Sequence, residues 1–315
     1  MALISLEELV KKDIKEPEFF IAPYIVKQGV TLLWARRSVG KSALSWRMAA
    51  EIGRGGHFFG LPVKQGKVLY IEVDSPESIV ASRLRAQPVA PNVWYYIKPG
   101  TFGLPNPRRE TEDELKEAQA IIKPDVVFLN TLRKLHRFDD KESSAPSEVY
   151  GYFQHLFPQA ALVFIHHNKK TAADPKFRTR KDESFSGSSH WIDDAQSGLY
   201  FTKYRGDNFN RHLEHMKGQG SAKLRPLPLK LDLNDGTSLS CPIYETFLRV
   251  YTLMNEREEK GKDLDKVIAK DIGVEEITAY KYRHRVIEGK FGQGSYHWMD
   301  KERGFEVEGD DDEEE

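Results

Sequence analysis

The sequence predicts an α/β protein: a mostly parallel sheet covered by helices on both faces, followed by a small unit made of helices. Short apolar, β-branched runs alternate with longer amphipathic runs between residues 30 and 166, which is the pattern of repeated β-α units. From Pro242 the pattern changes to helices. Hydrophobic residues make up 39% and charged residues 30% of the 315 residues, as in a globular protein with an aqueous surface.

The elements of the first part follow from local signals. The predicted order is a helix at 6–15, strands at 30–35 and 67–74, a helix from 75 to 84, a strand at 94–97, a helix at 111–122, a strand at 125–130, a helix at 147–156 and a strand at 161–166. The strand at 67–74 is a short apolar run bounded by Gly66 and Pro76, and the early proline and Glu77 favour a helix start there.

The later elements complete the sheet and form the helical unit. Strands at 197–203, 211–216 and 227–233 are expected to join the sheet edge in antiparallel fashion. Helices at 243–258, 264–271 and 275–287 follow, and the turn at 272–274 has helix-turn-helix spacing. A Gly-rich tip at 291–294 could form a wing. A plain helical cap on the main domain is the alternative interpretation.

Composition limits where such a protein works. No apolar run approaches the length of a membrane span, and the N-terminus lacks the apolar core of a signal peptide. Cys241 is the single cysteine, which excludes an intrachain disulfide and a cysteine-rich zinc site. We expect a cytoplasmic protein with no membrane partner.

A strand, a tight loop ending in Gly-Lys-Ser and a helix meet at residues 30–50, which is the arrangement of a phosphate-binding loop. Backbone N–H groups of such a loop point at anionic phosphates. Lys41 would reach the β- and γ-phosphates, and the Ser42 hydroxyl would ligate Mg²⁺. Ala35 stands where the pattern has its first glycine, and alanine tolerates positive φ less well. The predicted nucleotide-binding residues are Arg37, Ser38, Val39, Gly40, Lys41 and Ser42.

Polar side chains end three of the other predicted strands. Glu72 and Asp74 close one strand, Asn130 closes another, and His166 and His167 close a third. Parallel sheets bind ligands at the carboxyl ends of their strands, so these groups are expected to meet near the phosphate-binding loop.

Four blocks of sequence together resemble the RecA-like hexameric ATPases and, among them, the RepA-type replicative helicases of plasmids and phages. The blocks are 35–42, 68–76 with Arg83 and Leu84, 126–133, and 164–170. The resemblance covers roughly residues 20–233. It implies a RecA-like fold, ATP and Mg²⁺ as cofactors, a homo-oligomer in the form of a hexameric ring, and single-stranded DNA as partner.

The resemblance assigns roles, and several positions depart from the family pattern. Asp74 aligns with the water-activating glutamate and is one methylene shorter, and Glu72 nearby could compensate. Asn130 aligns with the Mg²⁺-associated aspartate and is neutral. The implied metal site therefore comprises Ser42, Asn130 and Asp74.

Other family positions sense the γ-phosphate or reach it from a neighbouring subunit. His166 and His167 match the sensor histidine. Lys217 matches the lysine of a Lys-x-Arg element whose arginine is replaced by Gln219, and a further arginine position aligns near Gln196. An arginine finger can contribute about 10³ or more in rate, so these replacements bear on hydrolysis.

Basic residues predict two DNA contacts. A long loop at 168–189 would face the central channel, and the third C-terminal helix would contact phosphates. The residues are Lys169, Lys170, Lys176, Arg178, Arg180, Lys181, Lys281, Arg283 and Arg285. The stretch 306–315 carries eight acidic residues and no basic ones, which leaves 47 basic against 40 acidic residues elsewhere. This tail could compete with DNA or recruit a protein partner.

The sequence thus predicts an ATPase domain at 1–241, a helix-turn-helix or winged unit at 242–303 and an acidic tail at 304–315. The expected function is an ATP-binding, DNA-acting ATPase or helicase in plasmid or phage replication or recombination. The alternative is a nucleotide-dependent DNA adaptor or assembly switch with weakened hydrolysis, which Ala35, Asp74, Asn130 and Gln219 favour.

Overall fold

The computed structural model describes residues 5–11, 17–85, 90–139, 142–167, 190–203, 210–219, 226–232 and 238–287. Within these ranges the elements are α1 (Leu6–Lys11), β1 (Phe19–Ile21), β2 (Ile25–Val26), β3 (Val30–Ala35), α2 (Lys41–Arg54), β4 (Gly56–Phe58), β5 (Leu61–Val63), β6 (Val68–Glu72), α3 (Glu77–Leu84), β7 (Val93–Ile97), α4 (Arg109–Ile122), β8 (Val126–Asn130), α5 (Leu132–Leu135), α6 (Ala145–Leu156), β9 (Ala161–His167), α7 (His190–Asp193), β10 (Ser197–Lys203), β11 (Asn210–Gly218), β12 (Leu227–Leu231), β13 (Leu239–Ser240), α8 (Pro242–Glu256), α9 (Gly261–Ile272) and α10 (Glu276–Ile287). The predicted loop at 168–189, the wing at 291–294 and the tail at 304–315 lie outside the described residues.

A large, mostly parallel sheet organises the chain. Its nine strands follow the order β13-β12-β11-β10-β3-β9-β8-β6-β7. The six strands from β10 to β7 in this order run parallel. Every residue of β3, β6 and β8 is buried, as expected for strands covered on both faces by helices. The predicted fold class is confirmed.

One prediction about the sheet was wrong. β10 lies beside β3 and is parallel to it, with Ser197 opposite Thr31 and Phe201 opposite Ala35. α7 precedes β10 in the chain, and a parallel neighbour of β3 must start from the same end of the sheet as β3 does. β11 and β12 are antiparallel, as expected.

A second, small sheet of order β2-β1-β5-β4 was not predicted. Its described strands are only two or three residues long, too short to show alternation. Phe59 and Gly60 join β4 to β5, with φ of 49° and 92°. Two positive φ values are typical of a tight hairpin turn. The sequence did not predict this turn, because phenylalanine is not among the residues preferred in it.

The sheet separates two hydrophobic cores. Leu33, Tyr70 and Phe128 pack in the core that contains α2, whereas Trp34 and Ile71 pack in the core that contains α4 and α6. Successive side chains of a strand point to opposite faces. Glu72 and Asn130 therefore share the α2 face, two residues beyond Tyr70 and Phe128.

The C-terminal helices pack on the α2 side. Phe247 and Val250 of α8 belong to the same core as α2. Between α9 and α10 the chain turns at Gly273, whose φ is 72°, and the Val274 N–H donates to the Ala269 carbonyl at 3.0 Å. This left-handed glycine ends α9 as glycines commonly end helices. None of the described helices combines the length and apolar character needed to cross a bilayer.

Candidate nucleotide site at the carboxyl edge of the sheet

The phosphate loop (residues 36–40, between β3 and α2) turns at two left-handed residues. Ser38 has φ 58° and Gly40 has φ 104°. The left-handed backbone favours glycine there, and a Cβ on Gly40 would also crowd Leu231 Cδ2 at 3.2 Å. Ala35, by contrast, is the last residue of β3 and has extended backbone. Alanine at position 35 therefore meets no left-handed requirement.

The start of α2 is suited to an anion. Among the described residues no side chain caps this helix end, and its first turn carries no acidic residue. The unsatisfied N–H groups and the positive end of the helix dipole therefore face the phosphate loop. A phosphate group fits this site.

Lys41 is folded into the phosphate loop. Its Nζ donates to the carbonyl oxygens of Ala35 at 3.3 Å and Arg36 at 3.0 Å, and the residue is only 6% exposed. Burial, with the positive charge of Arg37, lowers the pKa of Lys41 to about 8, and Asp74 partly offsets the effect. An anion in the loop would restore the stability of the ammonium.

Arg211 holds the phosphate loop from β11, and sequence reasoning missed it. Its Nε donates to the Val39 carbonyl at 2.8 Å, and the residue is 2% exposed. The sequence offered one signal: Arg211 has the same parity as Leu213 on the predicted strand at 211–216, which places both side chains on one face.

Glu72 and Asn130 form a buried pair on adjacent strands. The Asn130 amide Nδ2 donates to Glu72 Oε2 at 2.6 Å. Glu72 Oε1 accepts the backbone N–H groups of Asp74 at 2.8 Å and Ser75 at 3.0 Å. Burial raises the pKa of Glu72, and these hydrogen bonds oppose the rise. Glu72 is thus engaged within the protein, whereas the sequence suggested that it could compensate for Asp74.

Asp74 lies at the surface of the same edge and is paired with a cation. Lys134 of α5 contacts its Oδ1 at 2.8 Å and its carbonyl at 3.4 Å. Both side chains are about two-fifths exposed, so water can reach the carboxylate. Asp74 also acts electrostatically on Lys41 and His167, which places it beside the phosphate loop.

The two histidines separate. His167 is opposite Ala35 on the neighbouring strand, and alternation puts it with Ile165 on the α2 face. Burial, then Lys41 and Arg37, lower the pKa of His167 to about 4, while Asp74 opposes them. His166 is 2% exposed and shares the face of Phe164, away from the phosphate loop. The structure therefore brings His167, and not His166, to the loop.

The donor set suits Mg²⁺ in company with phosphate. Ser42, half-buried at the start of α2, has the hydroxyl that could bind it; Asn130 ends β8, and Asp74 follows the end of β6. In the described ranges no cluster of three or more His, Cys, Asp or Glu could hold a metal by itself. Mg²⁺ commonly keeps several waters and takes further ligands from phosphates, so the residues fit.

Lys217 lies away from this site. It pairs with Gly198 near the start of β10, whereas the phosphate loop follows the other end of β3. Its Nζ donates to the carbonyl of Ile192, at 3.0 Å, and to that of Asp193. Any contact of Lys217 with a nucleotide would have to involve another subunit.

The predicted C-terminal DNA contacts need one correction. Arg283 makes a bidentate ion pair with Asp265, at 2.6 and 3.1 Å, and both side chains are largely buried. Its guanidinium joins α9 to α10 and is not exposed for contact with a DNA phosphate. Lys281 and Arg285 are exposed. The six basic residues of the predicted loop, Lys169, Lys170, Lys176, Arg178, Arg180 and Lys181, lie outside the described residues.

Comparisons with known proteins concern the family and the fold. The model of a family described as AAA domain matches residues 3–173, more than half of the chain. A solved DnaB-like replicative helicase, described with its interactions with primase, is 11% identical with a TM-score of 0.50, over 73% of this chain and 65% of that chain. The ATPase domain of G40P has 10% identity and a TM-score of 0.49, over 67% of this chain and 84% of that chain. The flagellar accessory protein FlaH from Methanocaldococcus jannaschii has 10% identity and a TM-score of 0.45, over 70% of this chain and 93% of that chain. A comparison with curated proteins finds no match.

Proposed function

Because this chain belongs to the AAA domain family, we propose that it binds ATP and Mg²⁺ at the phosphate loop and acts on DNA as a RecA-like ATPase of helicase type. The observation that carries the proposal is the loop itself, at the carboxyl edge of a parallel sheet, with Lys41 buried against two of its carbonyls. The fold shared with the DnaB-like helicase supports it. Replication or recombination of a plasmid or phage is the proposed setting, as in RepA-type helicases, and the cytoplasm the proposed location.

Binding would use groups already in place. Lys41 would exchange the carbonyl oxygens of Ala35 and Arg36 for phosphate oxygens, and the N–H groups at the start of α2 would donate to the same phosphates. Ser42 would hold Mg²⁺, with Asn130 and Asp74 facing its bound waters. Bound Mg²⁺ neutralises charge on the β- and γ-phosphates.

Hydrolysis would depend on two side chains. Asp74 is the proposed base, because it is solvent-accessible and lies beside Lys41 and His167. His167 is neutral at pH 7, since its pKa is about 4, so its ring can donate one hydrogen bond to the γ-phosphate without adding charge.

Two observations favour a second candidate, an ATP-dependent DNA adaptor or assembly switch with slow hydrolysis. The Asp74 carboxylate is engaged by Lys134, 2.8 Å away, and this ammonium competes with an attacking water for it. Asn130 carries no charge to hold magnesium-bound water. In this candidate, ATP binding orders an oligomer on DNA.

Phosphate release by the purified chain separates the candidates. We expect release that single-stranded DNA stimulates and that Lys41→Ala abolishes, with exposed Lys116→Ala as the matched control. Turnover no greater than that of Lys41→Ala, with ATP still promoting oligomers on DNA, would establish the switch instead. Absence of ATP binding would refute both.

The DNA partner and the ring are further parts of the proposal. A homo-oligomer, hexameric in the RecA-like pattern, would allow Lys217 to approach a neighbouring nucleotide. We propose that the basic loop contacts single-stranded DNA and that Lys281 and Arg285 contact phosphates.

Replacing either Lys281 or Arg285 with glutamine should reduce the slope of log affinity against log salt by about 1. Removing residues 306–315 should tighten binding if the tail competes with DNA.

A further inference from the structure

Glu72 accepts hydrogen bonds from three donors, and both of its carboxylate oxygens take part. It is fully buried, its Oε1 accepts two backbone N–H groups of the turn at 74–75, and its Oε2 accepts the Asn130 amide. A base must exchange protons with water, and Glu72 is shielded from water. Its three hydrogen bonds run to a neighbouring side chain and to a backbone turn, which points to a positioning role.

The pair fixes which end of the Asn130 amide faces the phosphate loop. A carboxylate accepts and does not donate, so the Asn130 group directed at it must be the NH₂. β6 lies on one side of β8, whereas β9 and β3, which precedes the loop, lie on the other. With Nδ2 turned toward β6, the carbonyl oxygen Oδ1 is directed away from β6. That oxygen is the atom of asparagine that can accept from a magnesium-bound water.

From this geometry we propose that Glu72 is a positioning residue for Mg²⁺. Its negative charge orients the neutral Asn130 amide, so that Asn130 Oδ1 is available to accept a hydrogen bond from a magnesium-bound water. It also holds the backbone turn that carries Asp74. The proposal rests on the proposed binding of Mg²⁺ and ATP.

An exchange of the two groups provides the test. In Glu72→Gln, the glutamine oxygen can still accept from the 74–75 turn, but its NH₂ meets the NH₂ of Asn130. The Asn130 amide must turn over to restore the bond, which presents a donor to the metal side. In the double variant Glu72→Gln/Asn130→Asp, the introduced glutamine amide donates to the introduced carboxylate. The second oxygen of that carboxylate then faces the phosphate loop as an acceptor again.

The measurement is binding of a fluorescent ATP analogue, titrated with Mg²⁺ and repeated with a chelator in place of the metal. We expect Glu72→Gln to raise the Mg²⁺ concentration for half-maximal binding by about tenfold, as loss of an outer partner of a metal site commonly does. Binding with chelator should stay within about twofold of wild type, and the double variant should recover most of the lost Mg²⁺ affinity. Exposed Glu117→Gln is the matched control.

The outcomes separate this inference from the function on which it rests. Wild-type binding without any Mg²⁺ dependence would contradict the proposed cofactor. If Glu72→Gln binds the ATP analogue with the same Mg²⁺ dependence as wild type, the positioning role of Glu72 is overturned and the proposed cofactor is not. Equal losses in the single and double variants, with unfolding temperatures near wild type, would also overturn that role, because the charge would then be needed at position 72 itself.

Discussion

Burial at the phosphate loop and the charge of Arg37 lower the pKa values of both Lys41 and His167. Their pKa values fall to about 8 and about 4, so near pH 7 Lys41 remains largely protonated whereas His167 is neutral. Bound phosphate would reverse the trend for Lys41, which ties nucleotide binding to its protonation.

Replacing His167 with glutamine should flatten the pH dependence of stability. The unfolded histidine takes up a proton near its ordinary value of 6.5, whereas the folded one resists until about pH 4. Its contribution is therefore present above 6.5 and is lost as pH falls toward 4. Urea unfolding at about pH 7 and about pH 5 should show a smaller loss of unfolding free energy in His167→Gln than in wild type. The control is His155→Gln, at an exposed position of α6; equal losses in wild type and His167→Gln would contradict the prediction.

Lys134→Met tests whether the ion pair restrains Asp74. Removing the cation should free the carboxylate to turn toward an attacking water, and so raise turnover by about three- to tenfold, a fraction of what a general base supplies. Because the pair is partly exposed, the free energy of unfolding should change by no more than about 1 kcal/mol. Steady-state phosphate release and urea unfolding measure the two effects, with Lys116→Met as control. Unchanged turnover would argue against Asp74 as the base.

Two strands outside the β3-loop-α2 unit support the phosphate loop. Arg211 of β11 binds the Val39 carbonyl, and Leu231 of β12 packs against Gly40. These contacts restrain Val39 and Gly40 from outside that unit. β11 and β12 are therefore part of the candidate nucleotide site, although they belong to the antiparallel edge of the sheet.

Arg211→Met should weaken nucleotide binding and stability together. It keeps a long apolar stem but leaves the buried Val39 carbonyl without this donor, which costs about 1–3 kcal/mol. We expect a lower melting temperature and a smaller rise in it on adding ATP and Mg²⁺ than in wild type. Arg249→Met, which loses a surface ion pair with Asp271, should keep the full rise. An equal rise in Arg211→Met would show that the contact does not support the site.

Local signals predicted the longer helices and strands, whereas the short strands of the second sheet and the long-range contacts were not predicted. The strand at 30–35 was predicted to the residue, because an unbroken apolar run ends at a charged loop. Asp74 and Asn130 were found because they end such runs. Arg211 was not, since 172 residues separate it from Val39. The direction of β10 and the pairing of Arg283 with Asp265 likewise depend on neighbours that only the folded chain supplies.

Across the whole molecule, one hydrophobic core joins the nucleotide-binding unit to the C-terminal helices. Val250, Leu253 and Ile268 belong to the cluster that contains α2 and the α2 face of the sheet. Phe247 and Tyr282 meet edge to face, with ring centroids 5.2 Å apart, which fastens α8 to α10. A continuous core leads us to expect that these parts gain and lose structure together.

Hydrogen exchange should reveal that coupling. Adding ATP and Mg²⁺ should slow amide exchange in α8 and α9 as well as in β3 and α2, because stabilising one part of a cooperative unit protects the rest. Mass spectrometry of peptides from the four elements measures it, and Lys41→Ala serves as the control without bound nucleotide. Protection confined to β3 and α2 would show that the helices open independently.

The place of β3 between β9 and β10 has a practical consequence for dissecting the chain. The AAA domain match ends at residue 173, which falls between these two strands. A fragment cut there would lose β10, and β3, buried throughout, would become the border of the sheet. Its apolar side chains and unpaired backbone would then invite association with other copies, as bare sheet borders do. The boundary of sequence similarity is therefore a poor place to cut the gene, and expression of fragments should begin from ones that retain β10 to β12.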